Sequence, residues 1–168
     1  VKKAGAHHVD PFSHIDKEGA AQIILIGPPN SGKSSIVASC THAKPLIADY
    51  PYSTHDPLTG MMIFETTQIQ LIDTPPISDI QMPTYLPNLI RQADIVILVY
   101  DLTDSESENG LKTIFRLLQE KNIALSPDSR ADLDDARFVY KKTIIAATKH
   151  EDPKDEITLG NLKMSYPG

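Results

Sequence analysis

Gly27, four intervening residues, then Gly32-Lys33-Ser34 has the spacing of a phosphate cradle. In such a loop successive backbone N–H groups point at phosphate oxygens, and the helix that opens from it adds its positive N-terminal end. Gly27 and Gly32 permit the tight loop, Lys33 reaches the outer phosphates, and the Ser34 hydroxyl ligates Mg²⁺. Pro28 and Pro29 have no N–H to give. The donors therefore begin at Asn30 and run on through Ser31, Gly32, Lys33, Ser34 and Ser35. A glycine turn before an ordinary helix is the bland alternative. The β-rich run before the loop and the helical run after it favour the cradle.

Asp73 ends the apolar run "IQLID", about forty residues beyond the loop. A carboxylate at a strand tip can hold a Mg²⁺-bound water opposite Ser34, whereas without the loop upstream it would read as a turn residue. Between the two lies "YPYSTHDP", whose hydroxyls, Thr54 first and Ser53 second, can reach Mg²⁺ and a terminal phosphate or merely decorate a loop. The run "ATKHED" closes a further strand, and in a nucleotide-binding α/β sheet the residues at that carboxyl end sit beside the base.

The elements that must hold these groups alternate β-rich runs with helical or polar ones, the pattern of an α/β domain with a mostly parallel sheet. Strands are expected at 21–26, 61–66, 67–73, 94–101 and 141–148, the second and third forming a hairpin. A helix opens from the loop over 32–41, and "NLIRQA" reads as the end of another. The run "SESENGLKTIFRLLQEKN" opens with serine and acidic residues, as a capped helix should, and puts Leu111, Ile114, Phe115 and Leu118 on one buried face. The stretches 44–60 and "SPDSRADLDDAR" read as surface connections. The expected fold class is a P-loop NTPase three-layer α/β sandwich, mainly parallel, with one antiparallel edge pair. Residues 1–18 are expected to form an N-terminal extension and 19–168 the domain, which is expected to be incomplete at its C-terminal end.

A chain of 168 residues suffices for one domain with a real core, and a net charge of −6 argues against a protein that grips nucleic acid through its overall field. Cys40 is alone, so an internal disulfide is excluded and a reducing, cytoplasmic setting fits. No apolar run reaches bilayer length, and no direct DNA or membrane contact is expected. The chain starts at Val1 rather than methionine, which suggests a fragment, a processed form or an excised domain.

The stretches "GPPNSGKSS", "ADYPYSTHDPLTGMM", "IQLIDTPPI", "ADIVILVYDLTD" and "ATKHED", in this order over residues 19 to 152, resemble the Obg/DRG group of translation-associated GTPases. "DYPYST" is similar to that group's Tyr-Pro-Phe-Thr-Thr signature. The resemblance implies a G domain that binds GTP and GDP with Mg²⁺, hydrolyses GTP slowly, and works with the ribosome or another translation component. It implies Ser34, Thr54 and Asp73 as metal ligands, with Thr54 sensing the terminal phosphate and Lys33 stabilising charge. Thr148, Lys149 and Glu151 would contact the base, Lys149 laying its stem across it. Asn30 corresponds to an asparagine with which some of these GTPases coordinate a K⁺ ion. In the DRG branch a TGS domain would follow.

Three departures accompany the resemblance. Where the group has Asp-x-x-Gly, this chain has Asp73-Thr74-Pro75-Pro76, and Pro76 has no N–H for a γ-phosphate. A charge-assisted hydrogen bond is worth roughly 1.5–3 kcal/mol, so its loss implies discrimination between GTP and GDP blunted about tenfold or more. Ile77 occupies the position of the water-orienting glutamine of small signalling GTPases and is assigned no catalytic role. In the base motif Asn-Lys-x-Asp, this chain has Thr148-Lys149-His150-Glu151; Glu151 reaches one methylene further, with Asp152 as a substitute if the register slips by one. The further strand, the last base contact and the TGS domain are not evident after this point. Rival readings are a nucleotide-occupied scaffold without turnover and an ATPase using the same loop.

The remaining groups have bland readings. His7, His8 and His14, near Asp10 and Asp16, match no standard metal-ligand spacing and read as a solvated segment. The acidic run 104–108 suits a helix N-terminus, and Cys40 reads as core. Tyr50, Tyr52 and Tyr85 lie in loops and are expected to rest on their own domain.

Overall fold

The computed structural model describes residues 10–41, 56–127 and 136–150. In chain order these form β1 (Ala21–Ile26), α1 (Lys33–Thr41), β2 (Leu58–Phe64), β3 (Thr67–Asp73), α2 (Leu86–Gln92), β4 (Ile95–Asp101), α3 (Ser107–Glu120), β5 (Ile123–Ser126) and β6 (Val139–Thr148). The sheet order is β2-β3-β1-β4-β6-β5. β1 runs parallel to β3 and β4, β6 runs parallel to β4 and β5, and only β2 is antiparallel, hairpinned onto β3. This is the expected P-loop topology with its antiparallel edge pair. Because β1 has β3 on one side and β4 on the other, the carboxyl ends of three strands open onto one crevice.

Alternation along the strands feeds two cores. Ile24, Ile26, Ile72, Val96 and Leu98 face α2 and α3, while Leu25, Leu71 and Val99 face α1, as a two-residue period requires. In α3, Leu111, Ile114 and Leu118 are fully buried at helical spacing, and Phe115 is half-buried beside them. Each such side chain contributes about 1.5–3 kcal/mol by leaving water, which anchors α3 and the strand end that precedes it. Cys40 is half-buried against the α1 core, and Tyr85 is buried with its ring 5.6 Å from that of Phe12.

The structure corrects several expectations. β2 begins at Leu58, inside the expected loop, because its ladder extends to the pair Leu58–Asp73. β6 begins at Val139, where β5 supplies parallel partners; β5 itself covers 123–125, to which no element was assigned, and Ser126, the first residue of the stretch read as a connection. Four residues carry too little pattern to announce a strand. No side chain caps α3: the cap position is Glu106, and Ser107 Oγ instead accepts from the Asp101 N–H at 3.2 Å. The helix start is tied to the end of β4 rather than to itself.

At the amino ends of the strands, residues 10–20 are bound to the sheet. Gln22 Nε2 donates to the Ile15 carbonyl (3.0 Å) and to Gln70 Oε1 (2.9 Å), and Gln70 Nε2 donates to the Asp16 carbonyl (3.2 Å). Asp94 Oδ2 accepts from the Gln22 N–H at 2.7 Å and pairs with Lys17 at 2.8 Å.

Candidate functional site

The turn from β1 into α1 is tight for identifiable reasons. Gly32 has φ +96°, a region closed to side chains, and a Cβ on Gly27 would stand 2.8 Å from both Ser31 Oγ and the Val99 carbonyl. Asn30 is left-handed at φ 57°. Helix α1 starts at once, with the Ile36 N–H bonding the Gly32 carbonyl at 3.1 Å. Its first N–H groups have no partner within the helix and open onto a cleft of about 510 Å³, lined by residues 29–35 with Thr74, Pro76 and Lys149. That volume is within the range of small-ligand sites, roughly 300–1,000 Å³.

Lys33 is 6% exposed, its ammonium folded back onto the carbonyls of Gly27 (3.2 Å) and Pro28 (3.0 Å). Burial lowers its pKa, an effect that the nearby Asp73 charge opposes. A buried cation held by two carbonyls and, at 3.5 Å, the Ser31 hydroxyl, with no carboxylate in direct ion-pair contact, is an incomplete arrangement, which an anion would complete. Ser34 Oγ donates to Asp73 Oδ2 at 2.5 Å. Asp73 is 7% exposed, and among the described residues its Oδ1 is the one buried side-chain oxygen or nitrogen with no hydrogen-bond partner. An orphaned carboxylate oxygen beside a hydroxyl, at the mouth of an anion cradle, fits a magnesium ion. Mg²⁺ takes one or two carboxylates and fills its remaining positions with phosphate oxygens and water. Among the described residues there is no group of three or more His, Cys, Asp or Glu that could hold a metal by itself.

Beyond Asp73 the chain is fixed to the cradle. Thr74 Oγ1 donates to the Leu25 carbonyl at 2.6 Å, and the N–H of the buried Ile77 donates to the Gly27 carbonyl at 3.1 Å. Between them Pro76 lines the cleft without a donor. On the other wall, Thr148 Oγ1 lies 2.7 Å from the Ser31 carbonyl and 3.1 Å from that of Tyr100. Lys149, left-handed at φ 58°, donates to the Asn30 carbonyl at 3.0 Å and pairs with Asp101 at 2.6 Å.

Sequence reasoning thus named Asn30, Ser31, Gly32, Lys33, Ser34, Ser35, Asp73, Thr148 and Lys149, and the fold brings all nine around one cleft. Thr54, Ser53, Glu151, Asp152, Tyr50, Tyr52, His7 and His8 lie outside the described residues. His14 is exposed and pairs only locally with Asp16. Two residues were missed, Thr74 and Asp101. Asp101 carries the same signal that singled out Asp73, a carboxylate closing an apolar strand.

The sequence profile of the 50S ribosome-binding GTPase family matches residues 22–127, more than half of the chain. The chain belongs to that family. Within it the similarity is to Obg: a GTPase Obg of Ehrlichia ruminantium is 31% identical over 154 residues, covering 84% of this chain and 44% of the relative. A GTPase Obg of Ehrlichia canis is 49% identical over a shorter 51 residues, 30% of this chain and 15% of the relative. This chain spans less than half the length of either. Among solved structures, the G domain of the FeoB iron transporter of T. maritima aligns with 86% of this chain and 98% of its own, at 21% identity and a TM-score of 0.47. No helix among the described residues is long and apolar enough to cross a membrane.

Proposed function

We propose that this chain is the G domain of an Obg-like GTPase, spanning residues 19–168 after an N-terminal extension, that binds GTP and GDP with Mg²⁺ and hydrolyses GTP slowly. The observation that carries this reading is the incomplete polar arrangement at the cleft: a buried Lys33 ammonium folded onto carbonyls of its own loop and a buried Asp73 oxygen lacking a partner. In this reading the backbone N–H groups from Asn30 to Ser35 hold the β- and γ-phosphates, and Lys33 neutralises charge that develops on the transferred group. Ser34, Asp73 and Thr54 would hold Mg²⁺, which supplies charge neutralisation across the two outer phosphates. Thr148, Lys149 and Glu151 would form the base site, and the Asn30 side chain would take a K⁺ ion. With Ile77 where a water-orienting side chain would be needed, the attacking water lacks a polar guide from this position, and turnover is slow unless a partner supplies one. A cytoplasmic site of action with a ribosomal or other translation component as partner, and membership of the TGS-bearing branch, rest on the resemblance and on the family's description.

A second reading is favoured by Pro76 and Ile77. Pro76 has no N–H and the Ile77 N–H is already bonded to Gly27, so neither residue has a backbone donor left for a third phosphate. A nucleotide-occupied scaffold without turnover would look the same. Single-turnover hydrolysis of GTP, with ATP competition in parallel, tests both. Slow Mg²⁺-dependent GDP formation, faster in KCl than in NaCl, is the result expected from the first reading. Tight GTP binding without GDP formation supports the second, and equal binding of ATP removes the guanine assignment.

A further inference from the structure

We propose that Asp101 is a positioning residue for base recognition, holding the Lys149 stem against the wall of the cleft through the Asp101–Lys149 ion pair. The proposal rests on the guanine-nucleotide reading above and adds a residue that neither wall of the cleft would reveal, since Asp101 does not line it.

Three features carry the inference. First, the carboxylate is itself immobilised. Its Oδ1 accepts from the Thr103 N–H (2.9 Å) and the Thr103 hydroxyl (2.8 Å), while its own N–H is bonded to Ser107 Oγ (3.2 Å). Only Oδ2 is left to face Lys149, at 2.6 Å. The Asp101 side chain is 7% exposed and that of Lys149 43%, so the ammonium is drawn down to a buried anchor while the stem stays at the surface of the cleft.

Second, Lys149 is fixed at both ends. Its backbone is left-handed at φ 58°, and its ammonium also donates to the carbonyl of Asn30, the other left-handed residue of the cleft at φ 57°. The side chain therefore spans from the end of β6 to the phosphate loop, and its stem is available as an apolar surface in a cleft that it lines with Ser31 and Gly32. A purine stacked on that stem meets a preformed surface. Without the pair, a lysine with several free rotors would be ordered only when the ligand arrives, at a cost in affinity.

Third, the pair is not required to hold the strands together. β4 and β6 already share a ladder from Val96–Thr143 to Asp101–Thr148, and the Leu102 N–H extends it to the Thr148 carbonyl at 3.1 Å. A carboxylate buried at this point, with its second oxygen reserved for a cleft-lining lysine, is explained by what that lysine does.

The experiment compares GDP with inorganic pyrophosphate, which engages only the phosphate loop, in the wild-type chain and in Asp101→Asn. Lys149→Met approaches the same contact from the other side. Freeing one lysine side chain corresponds to a loss of about tenfold in GDP affinity, seen mainly in the dissociation rate. Pyrophosphate affinity should stay unchanged, and in the Lys149→Met background Asp101→Asn should add nothing. Unchanged GDP affinity in Asp101→Asn would overturn the proposal, as would parallel losses for GDP and pyrophosphate in a folded variant, which indicate a merely structural role. If Asp101→Asn does not fold, ¹³C relaxation of the Lys149 side chain in the nucleotide-free wild-type chain decides: a stem already ordered supports the proposal, and one as mobile as exposed lysines overturns it. Wild-type protein that binds pyrophosphate but not GDP would instead remove the guanine reading on which the proposal stands.

Discussion

The two ends of the parallel sheet treat buried polar groups differently. At the amino ends, Gln22 and Gln70 are each 2% exposed, and they satisfy each other and the carbonyls of residues 15 and 16. Asp94 has both a backbone donor and a lysine there. At the carboxyl ends, Lys33 folds onto carbonyls of its own loop, and Asp73 keeps one buried oxygen without a partner. Buried polar groups left incomplete are costly, by about 1–3 kcal/mol each, so a fold retains them only where something else completes them. The closed end is architecture. The open end is the proposed binding site.

Substitutions should separate the ends. Lys33→Ala at the open end has the largest expected effect: removing a charged donor to two phosphates should weaken GDP about 100-fold or more, read by titration calorimetry, with thermal stability unchanged or raised. A rise would come from removing a buried charge whose burial is only partly compensated. Gln22→Ala at the closed end should do the reverse. It leaves Gln70 and the Ile15 carbonyl short of a partner, so urea unfolding should show a loss of about 1–3 kcal/mol while GDP affinity holds. Parallel losses of binding and stability in both variants would dissolve the distinction.

A smaller contrast lies in pH. Phosphate oxygens favour the charged Lys33, whose pKa in the ligand-free chain is lowered by burial. Binding therefore draws in a proton once pH exceeds that lowered value, and GDP affinity should fall as pH rises through it. At the closed end the sign is opposite and the readout is stability. Burial alone would raise the Asp94 pKa, but hydrogen bonds from Lys17 and the Gln22 N–H and the charges of Lys17 and Lys141 hold it below the usual carboxylate value. A depressed carboxylate stabilises the fold above its unfolded pKa of about 3.9, and that contribution is lost as pH falls toward the folded value. Asp94→Asn should flatten this part of the acid unfolding profile and leave the alkaline fall in affinity unchanged.

Much of the open end was legible in the sequence because its requirements are local. The cradle needs glycine at Gly32 for a positive φ and a lysine directly after it, and both are visible as spacing. Asp73 was legible because an apolar strand points at it. Asp101 was passed over although its strand is apolar too, because its role depends on Lys149, 48 positions away. The closed end was not legible at all: Gln22 and Gln70 are ordinary polar residues until β1 and β3 pair in a register that sets them side by side. The strand β5 was missed for a similar reason, since four residues gain their identity only from the neighbouring β6. Local chemistry reads from spacing, while mutual satisfaction of distant groups reads only from the fold.

The most direct test of the contrast is amide chemical-shift mapping as Mg²⁺-GDP is added to the wild-type chain. The account predicts large changes at the N–H groups of residues 30–35 and of Lys149, and none at Gln22, Gln70 or Asp94. Changes centred on the amino ends of the strands, or none at saturating nucleotide, would contradict it.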